Sequence, residues 1–405
     1  MERVFIVGAK RTAIGSFLGS LAKVSAAELG AVVTEAVLKE AGINNEEVNE
    51  VIFGNALPAG QGQGVARQIS IQAGIPETIP ASGVNMVCGS GLKSVMNGYA
   101  SVLSGINDVV VAGGVESMSQ APHLMPTKTR NGIKMGSFEV EDHILKDGLT
   151  DAFSHEHMGM TAENIAEQYN VSRGAQDEFA YKSQQKAIKA QDNGAFEEEI
   201  VPVAVKNKRE EKIVDQDEFI NRQSTLEKLS KLRPAFKKDG SVTAGNASGL
   251  NDGASATLIV SETYLKEHNL TPLAEIVAVG QGGVNPQIMG IGPITAVQNA
   301  LKQSELTLDK IDILELNEAF AAQSIGVVEE LAKTSGVAAE DIYKKTNING
   351  GAIALGHPIG ASGNRVLVTL LHLMKQRESQ YGLASLCIGG GMGVSMILKR
   401  PELEN

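Results

Sequence analysis

Cys88 is the residue in this chain best placed by type and setting to do chemistry. It lies in Val84-Asn85-Met86-Val87-Cys88-Gly89-Ser90-Gly91-Leu92-Lys93-Ser94, a glycine-flanked turn that opens a predicted helix over 88–104. Unpaired N–H groups and the positive dipole end of a helix favour thiolate over thiol. A free cysteine is only a few per cent ionised at neutral pH. Lowering its pKa by about 1.5 units would stabilise the thiolate by roughly 2 kcal/mol. A buried structural cysteine is the commoner case, so other segments must decide. Three stand out: Glu315-Leu316-Asn317-Glu318-Ala319-Phe320-Ala321, the glycine-rich run 349–363 around His357, and Cys387-Ile388-Gly389-Gly390-Gly391-Met392-Gly393.

The elements that must position these residues repeat along the chain. Apolar runs predict strands at 4–8, 48–53 and 108–114, with helices at 26–41 (closed by Gly42) and 88–104. The same order returns as strands at 275–280, 311–316 and 383–391, with helices at 294–302 and 364–375. Ser90-Gly91 and Ser362-Gly363 are offset by 272, as are Val7-Gly8 and Val279-Gly280. Strand–helix alternation within each half predicts two largely parallel sheets with helices on their faces. His357 shifted back by 272 falls on position 85, beside Cys88. A pseudo-two-fold pairing of the halves would therefore bring both loops to one site. The expected division is an N-terminal half over 1–120, completed by about 250–271, an inserted loop domain over 121–249, and a C-terminal half over 272–405. The insertion holds four of the seven histidines, and long loops of this kind often cap active sites.

Composition narrows the field. Apolar content of 42% and charged content of 20% fit a globular protein of two or three domains. Sparse aromatics and no Trp argue against stacking platforms for nucleic acid. A net charge of −11 argues against non-specific binding to nucleic acid or anionic membrane. Uncharged stretches such as 276–301 are broken by Gly, Pro, Asn and Gln, so no transmembrane helix is expected. Residues 1–10 pass into an apolar strand without a signal-peptide pattern. Two distant cysteines make no secreted disulfide framework, so the cytoplasm is the expected compartment. Residues 206–238 hold ten Lys/Arg against six Asp/Glu, a basic surface that could receive a phosphorylated substrate. His155-Glu156-His157 lacks further converging ligands, so no metal site is expected.

Taken in order, the four segments resemble the thiolase family over essentially the whole chain. Arg11-Thr12-Ala13-Ile14-Gly15 and Thr243-Ala244-Gly245-Asn246-Ala247-Ser248-Gly249 fit the same pattern. The resemblance implies the thiolase fold: α/β, two duplicated βα halves in five layers (αβαβα) with an inserted loop domain that binds coenzyme A and joins subunits, as a homotetramer. It implies acetyl-CoA C-acetyltransferase activity, a ping-pong Claisen condensation of two acetyl-CoA to acetoacetyl-CoA and CoA through acetyl-Cys88. His357 would be the base for Cys88, since an imidazole near pKa 6.5 takes and returns a proton near neutral pH. Cys387 would be the second acid–base group. Backbone N–H groups of Cys88 and Gly389 would form one oxyanion hole, and His357 with a water on Asn317 the other. Asn317 also suits a helix cap.

The implied substrate pocket takes Leu149, His157, Met158, Phe236, Ala244, Ser248, Ala319 and Phe320, with Arg222 near the nucleotide. The segment from Arg222 is one residue shorter than in many thiolases. No cofactor is expected: coenzyme A thioesters are the substrates, and nothing indicates a monovalent cation. His157-Met158-Gly159 and Ala361-Ser362-Gly363 resemble the short-chain biosynthetic class. The alternatives are a broad-chain 3-ketoacyl-CoA thiolase of β-oxidation, a decarboxylating ketosynthase, and a non-catalytic lipid-binding relative.

Overall fold

The structure, a computed structural model, describes residues 2–207 and 210–401. Lys208 and Arg209 of the basic run lie outside the described residues. The first half-sheet contains β1 (Val4–Thr12), β2 (Glu50–Gly54), β3 (Ala81–Val84), β4 (Val109–Ser117) and β5 (Asn251–Ser261). Its spatial order is β1-β5-β4-β2-β3. The second contains β6 (Ala274–Gly283), β7 (Ile313–Leu316), β8 (Tyr381–Ile388) and β9 (Met392–Lys399), in the order β6-β9-β8-β7. A short antiparallel ladder, Phe5↔Glu275 and Ile6↔Ala274, joins the two at β1 and β6.

The sheets are mixed, not largely parallel as the alternation predicts. β5 runs antiparallel to both β1 and β4, and β9 antiparallel to both β6 and β8. Parallel pairing is found in β4/β2/β3 and β8/β7, and in a short ladder of β1 with Ile200–Val201 from the inserted region. β8 and β9 are joined by the tight turn 389–391, and a tight hairpin can only connect antiparallel strands. Gly390 and Gly391 hold φ of 87° and 84° there, a left-handed backbone that glycine adopts without strain. β8 therefore ends at Ile388, short of the expected strand end. In the first half the equivalent β4 and β5 pair the same way, with residues 118–250 in place of the hairpin.

Helices complete the layers. α1 (Ala26–Ala41) starts at a Ser25/Glu28 capping box and ends at left-handed Gly42, as its sequence signals predict. With α2 (Val65–Gln72) it covers one outer face. α3 (Ser90–Leu103) and the long helix α9 (Ile359–Arg377) pack on each other and on strands of both half-sheets. Between them in the chain lie α4 (Met158–Gln168), α5 (Arg173–Asp192), α6 (Gly292–Ser304), α7 (Ala321–Ser335) and α8 (Ala339–Lys345). Helices α6, α7 and α8 surround an apolar cluster on the second outer face. Three apolar clusters thus separate five layers, helix–sheet–helix–sheet–helix. In α9 every residue from Ile359 to Met374 is buried, as expected of a helix enclosed between two sheets.

The pseudo-two-fold axis shows in one reciprocal contact. A Cβ on Gly91 would lie 2.6 Å from the Asn364 nitrogen, and one on Gly363 would lie 2.3 Å from the Leu92 nitrogen. Residues 91 and 92 correspond to 363 and 364 under the 272 offset. Only glycine permits the two helix starts to approach so closely, and this approach sets the Cys88 and His357 loops face to face.

Candidate active site

Cys88 sits in a single 3-10 turn, Val87–Gly89, immediately before α3. Val87 carries φ of +46°, a strained conformation for a β-branched residue. Ser90 braces the turn: its hydroxyl accepts from the Met86 N–H at 2.8 Å and donates to the Val87 carbonyl at 2.7 Å. The turn packs against α9 and β8. The backbone N–H groups of Gly389 and of Cys88 itself lie close enough to the Cys88 sulfur to favour its thiolate, and donors so placed also suit a developing oxyanion.

The expectation of a lowered Cys88 pKa is not met. Burial pushes the thiol up to about 11, against the pull of the two N–H groups, and the nearby Glu116 carboxylate adds to the rise. The helix N-terminus is too weak to offset removal of the partly buried thiol from water. Cys88 is therefore a thiol at neutral pH and needs a base. Cys387, fully buried near the end of β8 opposite Gly393, is pushed up further, first by burial and then by the Cys88 side chain beside it.

His357 lies between left-handed Gly356 (φ 105°) and Pro358, the cap of α9. Its N–H donates to Asn251 Oδ1 at 2.8 Å. Its ring Nδ1 is 2.6 Å from Ser362 Oγ, which also donates to the Pro358 carbonyl at 2.9 Å. With the serine proton on Pro358, Nδ1 carries the ring proton and Nε2 presents a lone pair. With the serine turned to Nδ1, Nε2 becomes the donor. Nε2 is buried with no hydrogen-bond partner among the described residues, and both polar atoms of Asn317 are likewise unpartnered. Buried polar atoms left open in this way are suited to a reacting ligand.

Burial, then the charge of Arg365, pulls the His357 pKa from 6.5 to about 4. The ring is neutral at pH 7 and able to accept a proton. Between pH 6.5 and 4 the unfolded chain binds a proton that the folded chain does not, so stability falls as pH falls. His357 alone should remove up to about 3 kcal/mol by pH 4. Urea unfolding of wild type and His357→Gln at pH 7 and pH 4 checks this: the variant should lose less on acidification, and equal losses would contradict the assignment.

Other expected site residues form two groups. Met158, Ala319, Phe320 and Cys387 share one apolar cluster, with Phe236 packed against it. The His157 ring stacks on Phe236 at 4.6 Å, and Phe236 meets Phe320 edge-on. His157 Nδ1 caps α4 by accepting the Gly159 N–H at 3.0 Å. The Ser248 N–H donates to the Ala319 carbonyl at 2.9 Å, tying 246–248 to 319–321. Leu149 and Cys88 both pack against the cluster of Ala56, Leu57, Met118, Ile144 and Ile359. Ala244 lines a neighbouring cavity of about 580 Å³ with Asn221, Lys228, Leu229 and Leu232. Arg222 stays apart from the catalytic cluster: it is half exposed and bonded at 2.7 Å to Asp192 and to Gln191.

Two positioning residues carry no role in the sequence reading. Glu318 accepts from Ser183 (2.6 Å) and Asn347 (2.9 Å), locking the Asn317 turn to α5 and the 347–353 segment. Ser362 orients His357, and its 272 offset from Ser90, which braces the Cys88 turn, is the signal that could have found it.

Comparison with known proteins identifies the family. The family description "Thiolase, N-terminal domain" matches residues 4–263, and "Thiolase, C-terminal domain" matches residues 270–400. The probable acetyl-CoA acyltransferase of Staphylococcus aureus strain MRSA252 is 53% identical over 401 residues, covering 99% of this chain and all of the relative. The acetyl-CoA acetyltransferase of Cupriavidus necator is 51% identical over 401 residues, with the same coverage. Among solved structures, the Bacillus anthracis acetyl-CoA acetyltransferase superposes with a TM-score of 0.95 at 41% identity, covering 99% of each chain. The acetyl-CoA acetyltransferase from Syntrophomonas wolfei gives 0.96 at 40%, covering 99% of this chain and 100% of the other.

Proposed function

The chain belongs to the thiolase family, and from that premise we propose that it is an acetyl-CoA C-acetyltransferase working through Cys88. The observation that carries the reading is that Cys88, Gly389 and Cys387 lie beside one another, while His357 Nε2 and both polar atoms of Asn317, on two other segments, are buried without partners among the described residues.

His357 Nε2 takes the Cys88 proton as sulfur attacks the acetyl-CoA carbonyl. The oxyanion falls on the N–H groups of Cys88 and Gly389. The proton then passes to the departing CoA thiolate, leaving acetyl-Cys88. In the second half the Cys387 thiol passes its proton to His357 Nε2, and the resulting thiolate removes a methyl proton from a second acetyl-CoA. Its enolate oxygen is held by His357, now donating from Nε2, and by Asn317 through a water. The carbanion attacks acetyl-Cys88, Cys88 leaves as thiolate and takes the proton from His357 Nε2, and acetoacetyl-CoA departs with His357 neutral and Cys387 again a thiol. Ser362 serves both halves because its hydroxyl, donating to the Pro358 carbonyl, can accept the Nδ1 proton whether His357 is neutral or protonated.

Met158, Phe236, Phe320 and the neighbouring Met289 wall the space beside Cys387, which favours a short acyl group. Accommodating a long tail would mean displacing that packing, and even one badly placed methylene costs about 10–200-fold. Thiolysis of acetoacetyl-CoA should therefore exceed that of 3-oxohexadecanoyl-CoA by at least roughly 100-fold in kcat/KM. Comparable cleavage of the long chain would move the enzyme to fatty-acid degradation.

Coenzyme A would run from this pocket toward the Ala244 cavity, and Arg222 would leave Asp192 to meet a phosphate. In this reading residues 121–249 also join subunits into a cytoplasmic homotetramer. The exposed Met125, Met135, Phe138 and Phe153 on that segment support it. Light scattering tests the assembly. Among the described residues no helix is long and apolar enough to cross a membrane.

A further inference from the structure

Glu116, near the end of β4, is fully buried, and every group bonded to it is a donor. Its Oε1 accepts from Asn55 Nδ2 at 2.7 Å and the Leu57 N–H at 3.1 Å. Its Oε2 accepts from the Ala56 N–H at 3.0 Å and the Gly360 N–H at 2.8 Å. Residues 55–57 belong to the first half, and Gly360 lies in the first turn of α9, three residues past His357. We propose that Glu116 is a positioning residue for acetyl transfer, a four-donor bracket that fixes the Cys88 loop against the His357 loop. This rests on the reading of Cys88 and His357 as nucleophile and base.

The bracket continues into the Cys88 loop through short bonds. The Asn55 N–H donates to the Val84 carbonyl at 3.0 Å. Asn85 Nδ2 donates to the Ala56 carbonyl at 3.2 Å, and Asn85 Oδ1 accepts the Val87 N–H at 3.1 Å. An unbroken path therefore links strained Val87, the neighbour of Cys88, to Gly360. At Gly360 a Cβ would stand 2.6 Å from the Val115 carbonyl and 2.8 Å from Glu116 Oε2, so the close approach requires glycine. Asn85 is the position that corresponds to His357 under the 272 offset. The same site in each half thus carries the base in one and the tether in the other.

Charge alone does not explain Glu116. A carboxylate near Cys88 opposes formation of the thiolate, so its presence works against nucleophile activation. What it supplies is geometry: burial pushes its carboxyl up to about 7 against the pull of its N–H donors, yet each oxygen holds two donors, and one of those donors sits at a helix N-terminus where an anion is favoured. Glutamine cannot replace it, because either orientation turns an amide NH₂ toward two N–H donors. Aspartate keeps the charge but is one methylene too short to reach both halves.

Three variants test the bracket by melting temperature, acetyl-CoA KM, kcat and the rate of Cys88 alkylation by iodoacetamide. Glu116→Gln should fold, keep KM within about threefold and lose about 100-fold in kcat, the size expected when reacting groups shift by about 1 Å. Glu116→Asp should recover less than a tenth of wild-type kcat; full recovery would mean charge alone matters and would overturn the bracket. Asn85→Ala severs the path without touching a buried carboxylate, and should lower kcat and alkylation about tenfold at unchanged KM. If the Glu116 variants fail to fold, Asn85→Ala decides, and a wild-type kcat in it overturns the proposal. Lack of acetyl-Cys88 in wild-type protein would instead strike the functional reading itself.

Discussion

Cys88→Ser will leave the protein folded and reduce condensation and thiolysis by at least roughly 10⁴-fold, the scale of loss when a covalent nucleophile is removed. The Cys88 thiol already sits at about 11, and neutral His357 can ionise it only in concert with attack. A serine hydroxyl is far less acidic and would ask more of a base whose own pKa is about 4. The two N–H groups at the sulfur remain in place, so acetyl-CoA should still bind with little change. A coupled assay for CoA release, run beside a melting curve, checks both halves of the claim. Residual activity above about 1% in the folded variant would show that another group accepts the acetyl unit.

Cys387→Ala will separate the two half-reactions. Acetylation of Cys88 needs Cys88, His357 and the Gly389 N–H, none of which this substitution removes. It should persist within about tenfold of wild type. Proton abstraction from the second acetyl-CoA loses its base, so condensation should fall by about 10³-fold, within the usual range for a general acid–base group. The Cys387 side chain is small and packs in the cluster of Met158, Met289 and Phe320, so truncation to Ala should be tolerated by the fold. Rapid-quench measurement of acetyl-enzyme, set against acetoacetyl-CoA formation, gives the comparison. Equal loss of both steps would place Cys387 in the first half-reaction and break the division of labour.

The residues proposed to do chemistry were legible in the sequence because each lies beside glycines that a close backbone approach requires. Cys88, His357 and Cys387 all neighbour glycines whose special φ or close contacts the structure uses, at Gly91, Gly356, Gly363, Gly390 and Gly391. The 272 offset was legible for the same reason, since Gly91 and Gly363 form the one reciprocal contact that no side chain allows. Helix α1 was legible from end to end through Ser25, Glu28 and Gly42. What was not legible depends on the two halves meeting. The Cys88 pKa is set by burial across the interface rather than by its helix end. The direction of β5 depends on where the chain returns after residue 250. The bonds of Arg222 to Asp192 and Gln191 join segments about 30 residues apart, which nothing local in the sequence signals. Glu116 sits at the end of an apolar strand with no local sign that four donors converge on it.

The most direct test of the account is to mix wild-type protein with acetyl-CoA alone, quench in acid and map the acetyl group by peptide mass spectrometry. The account predicts a single acetyl group on the Cys88 peptide, formed before any acetoacetyl-CoA accumulates and released by added CoA. Acetoacetyl-CoA formed with no acetyl on Cys88, or with the acetyl on another residue, would contradict it.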